Sequence, residues 1–157
     1  MKEGGPSGPQ WLRWAQRLQA IAQEGLTFRD DRILLVRELD EAGWSVPGGW
    51  ADVGESPSEA ATRETLEESG YGVRPVRLLA AYDRDRHDHP PIAYHVYKLI
   101  YLCELMPEER LTDVDARGVR FFGEQEIPDL SVTRITRAQI SRLFAQHRDP
   151  SIPTEFD

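Results

Sequence analysis

Apolar residues recur at steps of three and four over residues 11–24, WLRWAQRLQAIAQE, where Trp11, Trp14, Ala15, Leu18, Ile21 and Ala22 share one stripe. That period predicts an amphipathic helix, which Gly25 would end. Beyond it the pattern changes. Leu26–Phe28 reads as a short strand, and Ile33 to Val36 are continuously apolar, as in a strand covered on both faces. Pro47, Gly48, Gly49 and Gly54 divide residues 44–56 into strand, turn and loop. Residues 73–84, VRPVRLLAAYDR, predict a strand, and the polar loop DRHDHPP follows. In YHVYKLIYLCEL, residues 94–105, the odd positions Tyr97, Leu99, Tyr101, Cys103 and Leu105 make one face, and Val96, Ile100 and Leu102 lie on the other. Apolar residues on both faces predict a central strand. The turn-rich stretch 106–118 leads to a short strand at 119–122, VRFF, then to a last helix near 133–146 marked by Ile140, Leu143 and Phe144. The tail, DPSIPTEFD, reads as coil. The sum is an α/β chain: a mixed sheet with helices on both sides. A flexible start and helix over residues 1–25 would precede a main domain over 26–157.

The best-marked element is the helix Pro57 to Ser69. Ser56 is its N-cap, Pro57 takes the first helical position, Glu59 completes an S-x-x-E capping box, and Gly70 follows the last turn. Within it Glu64, Glu67 and Glu68 stand at i, i+3 and i+4. At ~100° per residue they span an arc of roughly 100°, so one point beside the helix lies within reach of all three. Like charges at that spacing destabilise a helix. A solvated acidic face is one reading. The other is a divalent cation: hard Mg²⁺ prefers oxygen ligands and commonly bridges to phosphates. The Gly-rich loop PGGWADVGE before the helix, the nearby Asp52 and Glu55, and the weakly apolar opposite side (Thr62, Leu66, Ser69) favour the cation. Arg63 lies next to the acidic arc and can pair with Glu59 and Glu67, each four residues away.

From Gly49 the sequence reads G-WADVG-E-SPSEAAT-R-E-T-L-E-E-S-G-Y. This resembles the Nudix box: G, five residues, E, seven residues, then R-E-U-x-E-E-x-G-U, with U bulky and apolar. Gly49, Glu55, Arg63, Glu64, Glu67, Glu68 and Gly70 fall in register; Thr65 and Tyr71 depart at the U positions. WLRWAQRLQAIAQEGLTF and YDRDRHDHPPIAYHVYKLIYLCEL are similar to a bacterial Nudix subgroup, often ADP-ribose pyrophosphatase-like, that carries a helical N-terminal domain. Here that segment is shortened, since FRDD joins GLT to ILLVRE almost directly. Either Leu26–Phe28 replaces a first strand or the sheet is incomplete.

The resemblance implies a Nudix-type α/β/α sandwich. It implies Mg²⁺-dependent (or Mn²⁺-dependent) attack of water on phosphorus in a nucleoside diphosphate derivative, ADP-ribose-like or CDP-alcohol-like. Carried over, the Gly49 carbonyl with Glu64, Glu67 and Glu68 would hold metal. Glu67 or Glu68 would orient or deprotonate water, and Arg63 and Glu55 would keep the carboxylates in place. A further acid from outside the box is expected near Asp115, with Asp113 and Glu124 behind it; Gly118 takes one position where the subgroup tends to have Glu. Two rivals stand beside this reading: a catalytically silent binding or regulatory module on the same fold, and an isomerase, for which no opposed proton donor and acceptor are evident.

Composition narrows the partners. The chain has 157 residues and a formal net charge of −8, so no basic footprint for duplex nucleic acid is expected. One cysteine, Cys103, excludes an intrachain disulfide and suits a reducing cytosol. The start MKEGGPSGPQ is polar and offers no signal peptide, and no apolar run reaches membrane-spanning length. A cytoplasmic protein, with a homodimer open, is the expectation. Arg37, Arg84 and Arg86 are candidates to clamp phosphate, or plain surface arginines. Tyr82 and Tyr94 suit stacking on a base or core packing. His87 and His89 form H-x-H in a loop without a third ligand, and His95 suits either a substrate contact or a structural partner. Cys103 reads as a small buried hydrophobe, and Trp44 and Trp50 flank the Gly-rich loop.

Overall fold

A computed structural model of the chain describes residues 19–37, 42–107 and 118–157. Strands are β1 (Gln19–Arg29), β2 (Arg32–Val36), β3 (Gly48–Trp50), β4 (Val73–Asp83), β5 (His95–Leu105), β6 (Val119–Phe122) and β7 (Glu155–Phe156). Helices are α1 (Pro57–Ser69) and α2 (Arg137–Arg148). Among the described residues the sheet has seven strands in the order β6-β2-β1-β5-β4-β7, with β3 paired to β1. It is mixed: β5 runs parallel to β1 and antiparallel to β4. The expected central strand is therefore found, flanked on both edges.

Residues 19–24 correct the expected first helix, whose residues 11–18 lie outside the described residues. They are strand, held to β5 by pairs running from Gln19↔His95 to Thr27↔Cys103. AIAQE satisfies a helical stripe and a strand alternation equally, and pairing across the sheet decides between them. Nor does Gly25 end a helix; β1 runs through it unbroken. The abrupt FRDD link is a two-residue hairpin turn between β1 and β2, with Asp30 at φ 50° and Asp31 at φ 55°. Paired positive φ values are the mark of a tight hairpin turn. The first strand is present after all, and longer than Leu26–Phe28.

Adjacent residues of a strand point to opposite faces. Leu26 enters a core with Ile33, Leu35, Leu79, Ile100 and the α2 residues Ile140, Leu143 and Phe144. Gly25 faces α1. A Cβ there would stand 2.1 Å from Thr65 Oγ1 and 3.1 Å from the Ala61 carbonyl. Thr65 is buried and donates to that same carbonyl at 2.7 Å, so it has little freedom to retreat. Gly25→Ala should lower stability by about 1–3 kcal/mol, the usual cost of overpacking. Adding Thr65→Ala should restore most of it, which urea midpoints of the single and double variants would measure.

α1 has the predicted bounds. Ser56 Oγ accepts from Glu59 N, Glu59 closes the capping box, and Gly70 takes a left-handed φ of 75°. α2 starts later than expected, because Thr136 and Gln139 form a second capping box. The tail is not all coil: β7 adds to β4 at Ala80 and Ala81, pinned by Tyr82 Oη donating to Glu155 at 2.7 Å. Two residues are too few to show a period. No helix among the described residues is long and apolar enough to cross a membrane.

Candidate active site

β3 brings Gly48–Trp50 against the flank of α1, and the two elements border a cleft of about 580 Å³. Gly49, Arg63, Glu64 and Glu68 line one wall. The approach at Gly49 is close: a Cβ there would lie 2.7 Å from the Glu64 carboxyl carbon. Only glycine lets that carboxylate lie against the loop.

Arg63 organises this wall. Nε and Nη2 grip the two Glu55 oxygens at 2.9 Å each. Nη1 donates to Glu64 at 2.8 Å and Glu67 at 3.1 Å, and Nη2 also donates to the Trp50 carbonyl at 3.0 Å. The forked guanidinium thus ties loop, helix and three of the four box carboxylates together. Bonds to Glu55 and Glu64 push the Arg63 pKa up. Those from Arg63 and from the Asp52 amide hold Glu55 below the usual carboxylate range. Glu68 is held from the other side, accepting from Gly48 N at 3.1 Å and facing Arg134 Nη2 at 3.5 Å, while Arg134 also donates to the Gly48 carbonyl.

Glu64 and Glu68 therefore border the same cleft beside the Gly49 backbone, an all-oxygen donor set that suits a hard divalent cation. Glu67 stands at the margin, 59 % exposed. Among the described residues one group of three ligand-type side chains converges within 4.8 Å, and it is Asp83, Asp85 and His95, not the box. Arg63 Nη1 holds Glu64 and Glu67, and Arg134 faces Glu68 from the other side. In the other group His95 Nε2 lies 2.7 Å from Asp83 Oδ1.

The opposite wall and floor come from β1, β5 and the segments beside them. Glu24 and Lys98 form an ion pair of 2.8 Å, with side chains 5 % and 3 % exposed. Burial pushes the Lys98 pKa down, and Glu24 opposes the shift. Arg84, also buried, donates through Nε to the Thr133 carbonyl at 3.2 Å. At the rim Trp50 and Tyr94 meet edge-to-face, ring centroids 5.9 Å apart, and both are substantially exposed.

The structure brings Gly49, Arg63, Glu64, Glu68 and Arg84 to one cleft and attaches Glu55 and Glu67 through Arg63. It separates others. Tyr82 is buried in the core with its hydroxyl on Glu155, and Arg37 pairs its backbone with Gly118 at the end of β2; neither lines the cleft. Glu124 accepts from Arg148 at 2.5 Å, away from the cleft. Asp113 and Asp115 lie outside the described residues. His87 faces Asp157 and His89 faces the Val132 carbonyl, so the H-x-H pair splits. Burial and the nearby Lys98 and Arg84 charges push His89 down to about 4. Trp44 is half-buried and packs edge-on against Phe122 at the margin of the core. Cys103 is buried, its thiol pushed up to about 12 by desolvation. Sequence reasoning missed Glu24, Lys98 and Arg134. The readable signal was a lysine inside an otherwise apolar central strand.

Residues 22–144 match the NUDIX domain family, and residues 9–32 match a UDP-X-like, N-terminal oligomerisation domain. A Bacillus subtilis strain 168 relative named for ADP-ribose pyrophosphatase activity, YjhB, is 43 % identical over 133 residues, 85 % of this chain and 64 % of that protein. An ADP-ribose pyrophosphatase of Methanocaldococcus jannaschii is 29 % identical over 118 residues, 71 % of this chain and 66 % of that protein. The chain thus spans just under two thirds of these two relatives. Among solved structures, an ADP-ribose pyrophosphatase from Streptococcus suis superposes with a TM-score of 0.76 at 30 % identity, covering 88 % of this chain and 98 % of that one. A UDP-X diphosphatase gives 0.77 at 26 % identity, covering 95 % and 75 %. With the box in register on α1, the cleft beside it and a family match over most of its length, the chain belongs to the NUDIX family and has its α/β/α sandwich fold.

Proposed function

We propose that the cleft hydrolyses the diphosphate of a nucleoside diphosphate derivative, releasing a nucleoside monophosphate and a phosphorylated partner. The observation that carries this reading is the placing of Glu64 and Glu68 in one cleft against the Gly48–Gly49 backbone. In it the Gly49 carbonyl, Glu64, Glu67 and Glu68 would hold Mg²⁺, or Mn²⁺ in its place. When bound, the cation neutralises diphosphate charge and makes water a stronger acid. Glu68 or Glu67 takes the proton of the attacking water. Arg63 fixes Glu64 and Glu67 in position and is itself anchored by both oxygens of Glu55. Arg84 donates to the substrate, and Trp50 and Tyr94 offer ring faces at the rim for a base. The match of residues 9–32 to an oligomerisation domain supports a homodimer.

The test is incubation with ADP-ribose, a UDP-sugar, CDP-choline, NADH, dinucleoside polyphosphates and nucleoside triphosphates, with Mg²⁺ or Mn²⁺, scored by product. Release of a nucleoside monophosphate from a diphosphate derivative, abolished by EDTA, is the expected result. Saturable binding without product would mark a silent binding module.

A further inference from the structure

Arg84 is buried beyond what its contacts explain. Its side chain is 3 % exposed, and Nε is satisfied by the Thr133 carbonyl. Nη1 and Nη2 have no hydrogen-bond partner among the described residues. Asp85 stands 3.9 Å from Nη1, past hydrogen-bond reach, and is itself 58 % exposed. Glu24 repeats the pattern. Its Oε1 takes Lys98 Nζ at 2.8 Å, yet the buried Oε2 has no partner among the described residues. Both residues line the same cleft. Buried polar groups are almost always satisfied, and leaving donors of a charged group idle costs desolvation free energy with no return. Three idle atoms of charged groups on one cleft floor point to a ligand that completes them.

Their chemistry specifies it. Two coplanar N–H donors side by side fit a pair of anionic oxygens. A carboxylate oxygen whose sister is held by lysine accepts a hydroxyl. Formal charges on the floor are +1 for Arg84, +1 for Lys98 and −1 for Glu24; Asp85, 3.9 Å from Arg84 and 58 % exposed, offsets Arg84 only weakly through solvent, and the next cation, Arg134, is engaged with Glu68. The balance favours an anion and opposes a cationic head group. We propose that the floor is a subsite for a sugar phosphate: Arg84 takes phosphoryl oxygens through Nη1 and Nη2, Glu24 Oε2 accepts a sugar hydroxyl, and Lys98 fixes Glu24. This rests on the cleft being the substrate site. It selects diphosphates whose far side is a hydroxylated sugar over those ending in a quaternary amine.

Isothermal titration calorimetry of the full chain in EDTA buffer, with ribose 5-phosphate, inorganic phosphate and phosphocholine, tests it. Ribose 5-phosphate should bind at least about tenfold tighter than phosphocholine. Arg84→Met should weaken ribose 5-phosphate at least about tenfold while leaving the ligand-free Tm equal or higher, since a buried charge faced only by the exposed Asp85 is removed. Arg84→Lys keeps the charge but not the fork and should also weaken it. Glu24→Gln should weaken ribose 5-phosphate but not inorganic phosphate. Equal binding of phosphocholine, no binding by any probe, or Arg84 variants that bind normally would overturn the subsite. Metal and turnover do not enter, so failure here leaves the hydrolase reading intact, and an inactive enzyme leaves this result intact.

Discussion

Glu68→Gln should lower kcat by at least ~10²-fold with the fold unchanged, the scale expected for loss of an acid–base or electrostatic group. The substitution is conservative where stability is concerned. Glutamine keeps an oxygen for the Gly48 amide, which now donates to Glu68 at 3.1 Å. It loses the negative charge that faces Arg134 across 3.5 Å and that would face a cation. Like-charge repulsion along α1 also falls, so Tm in EDTA should hold or rise slightly. Glu67→Gln should reduce kcat as well. Its side chain is 59 % exposed and shares Arg63 with Glu64, so a smaller loss than at Glu68 would assign proton transfer to Glu68. Steady-state rates with Mg²⁺ on a diphosphate substrate, beside circular dichroism and Tm, decide the matter. Turnover near wild type in both variants would remove the assigned roles.

The helix that carries these residues was legible because every signal in it agrees. Ser56, Pro57, Glu59 and Gly70 are local cues, and local hydrogen bonds use each of them. The strand faces of 94–105 were legible for a similar reason: an alternation twelve residues long has a single period. Two misreadings share one cause: AIAQE and the two-residue β7 are settled by partners distant in sequence, and a short stretch cannot show which period it follows. The start of α2 is different, being set by the local Thr136–Gln139 capping box. The site divides the same way. Its box half is one continuous motif. Its other half needs β1 and β5 laid side by side, with Ala22↔Lys98 and Glu24↔Ile100 as partners, before Glu24 and Lys98 can be seen to meet. Tyr82 shows the converse: an aromatic beside Arg84 in sequence belongs to the core, because the strand places it among buried residues.

That buried pair carries the second large effect. Lys98→Met should destabilise the protein by about 3–5 kcal/mol, the usual consequence of stranding one partner of a buried ion pair. The loss is not that of one surface contact, because both side chains are almost fully enclosed, at 5 % and 3 % exposure. Glu24 would be left buried without its cation, with Oε2 already unpartnered among the described residues. Lys98 also donates to the Arg134 carbonyl, so the segment that presents Arg134 to Glu68 should loosen, and kcat should fall with stability. Combining Lys98→Met with Glu24→Leu replaces both charges by apolar groups and should recover most of the stability. It should not recover turnover, because the acceptor and the charge balance of the floor are gone. The pH dependence separates the partners further. Burial lowers the Lys98 pKa and Glu24 counters it, so Glu24→Gln lowers it more. The unfolded chain then holds more protons than the folded one below the ordinary lysine pKa, and stability should rise with pH in that window, more steeply than in wild type. Urea midpoints of the four proteins between neutral pH and about pH 10, the top of that window, provide the measurement. A Lys98→Met variant as stable as wild type, or a double variant no better than Lys98→Met, would show that the pair does not hold this side of the cleft together.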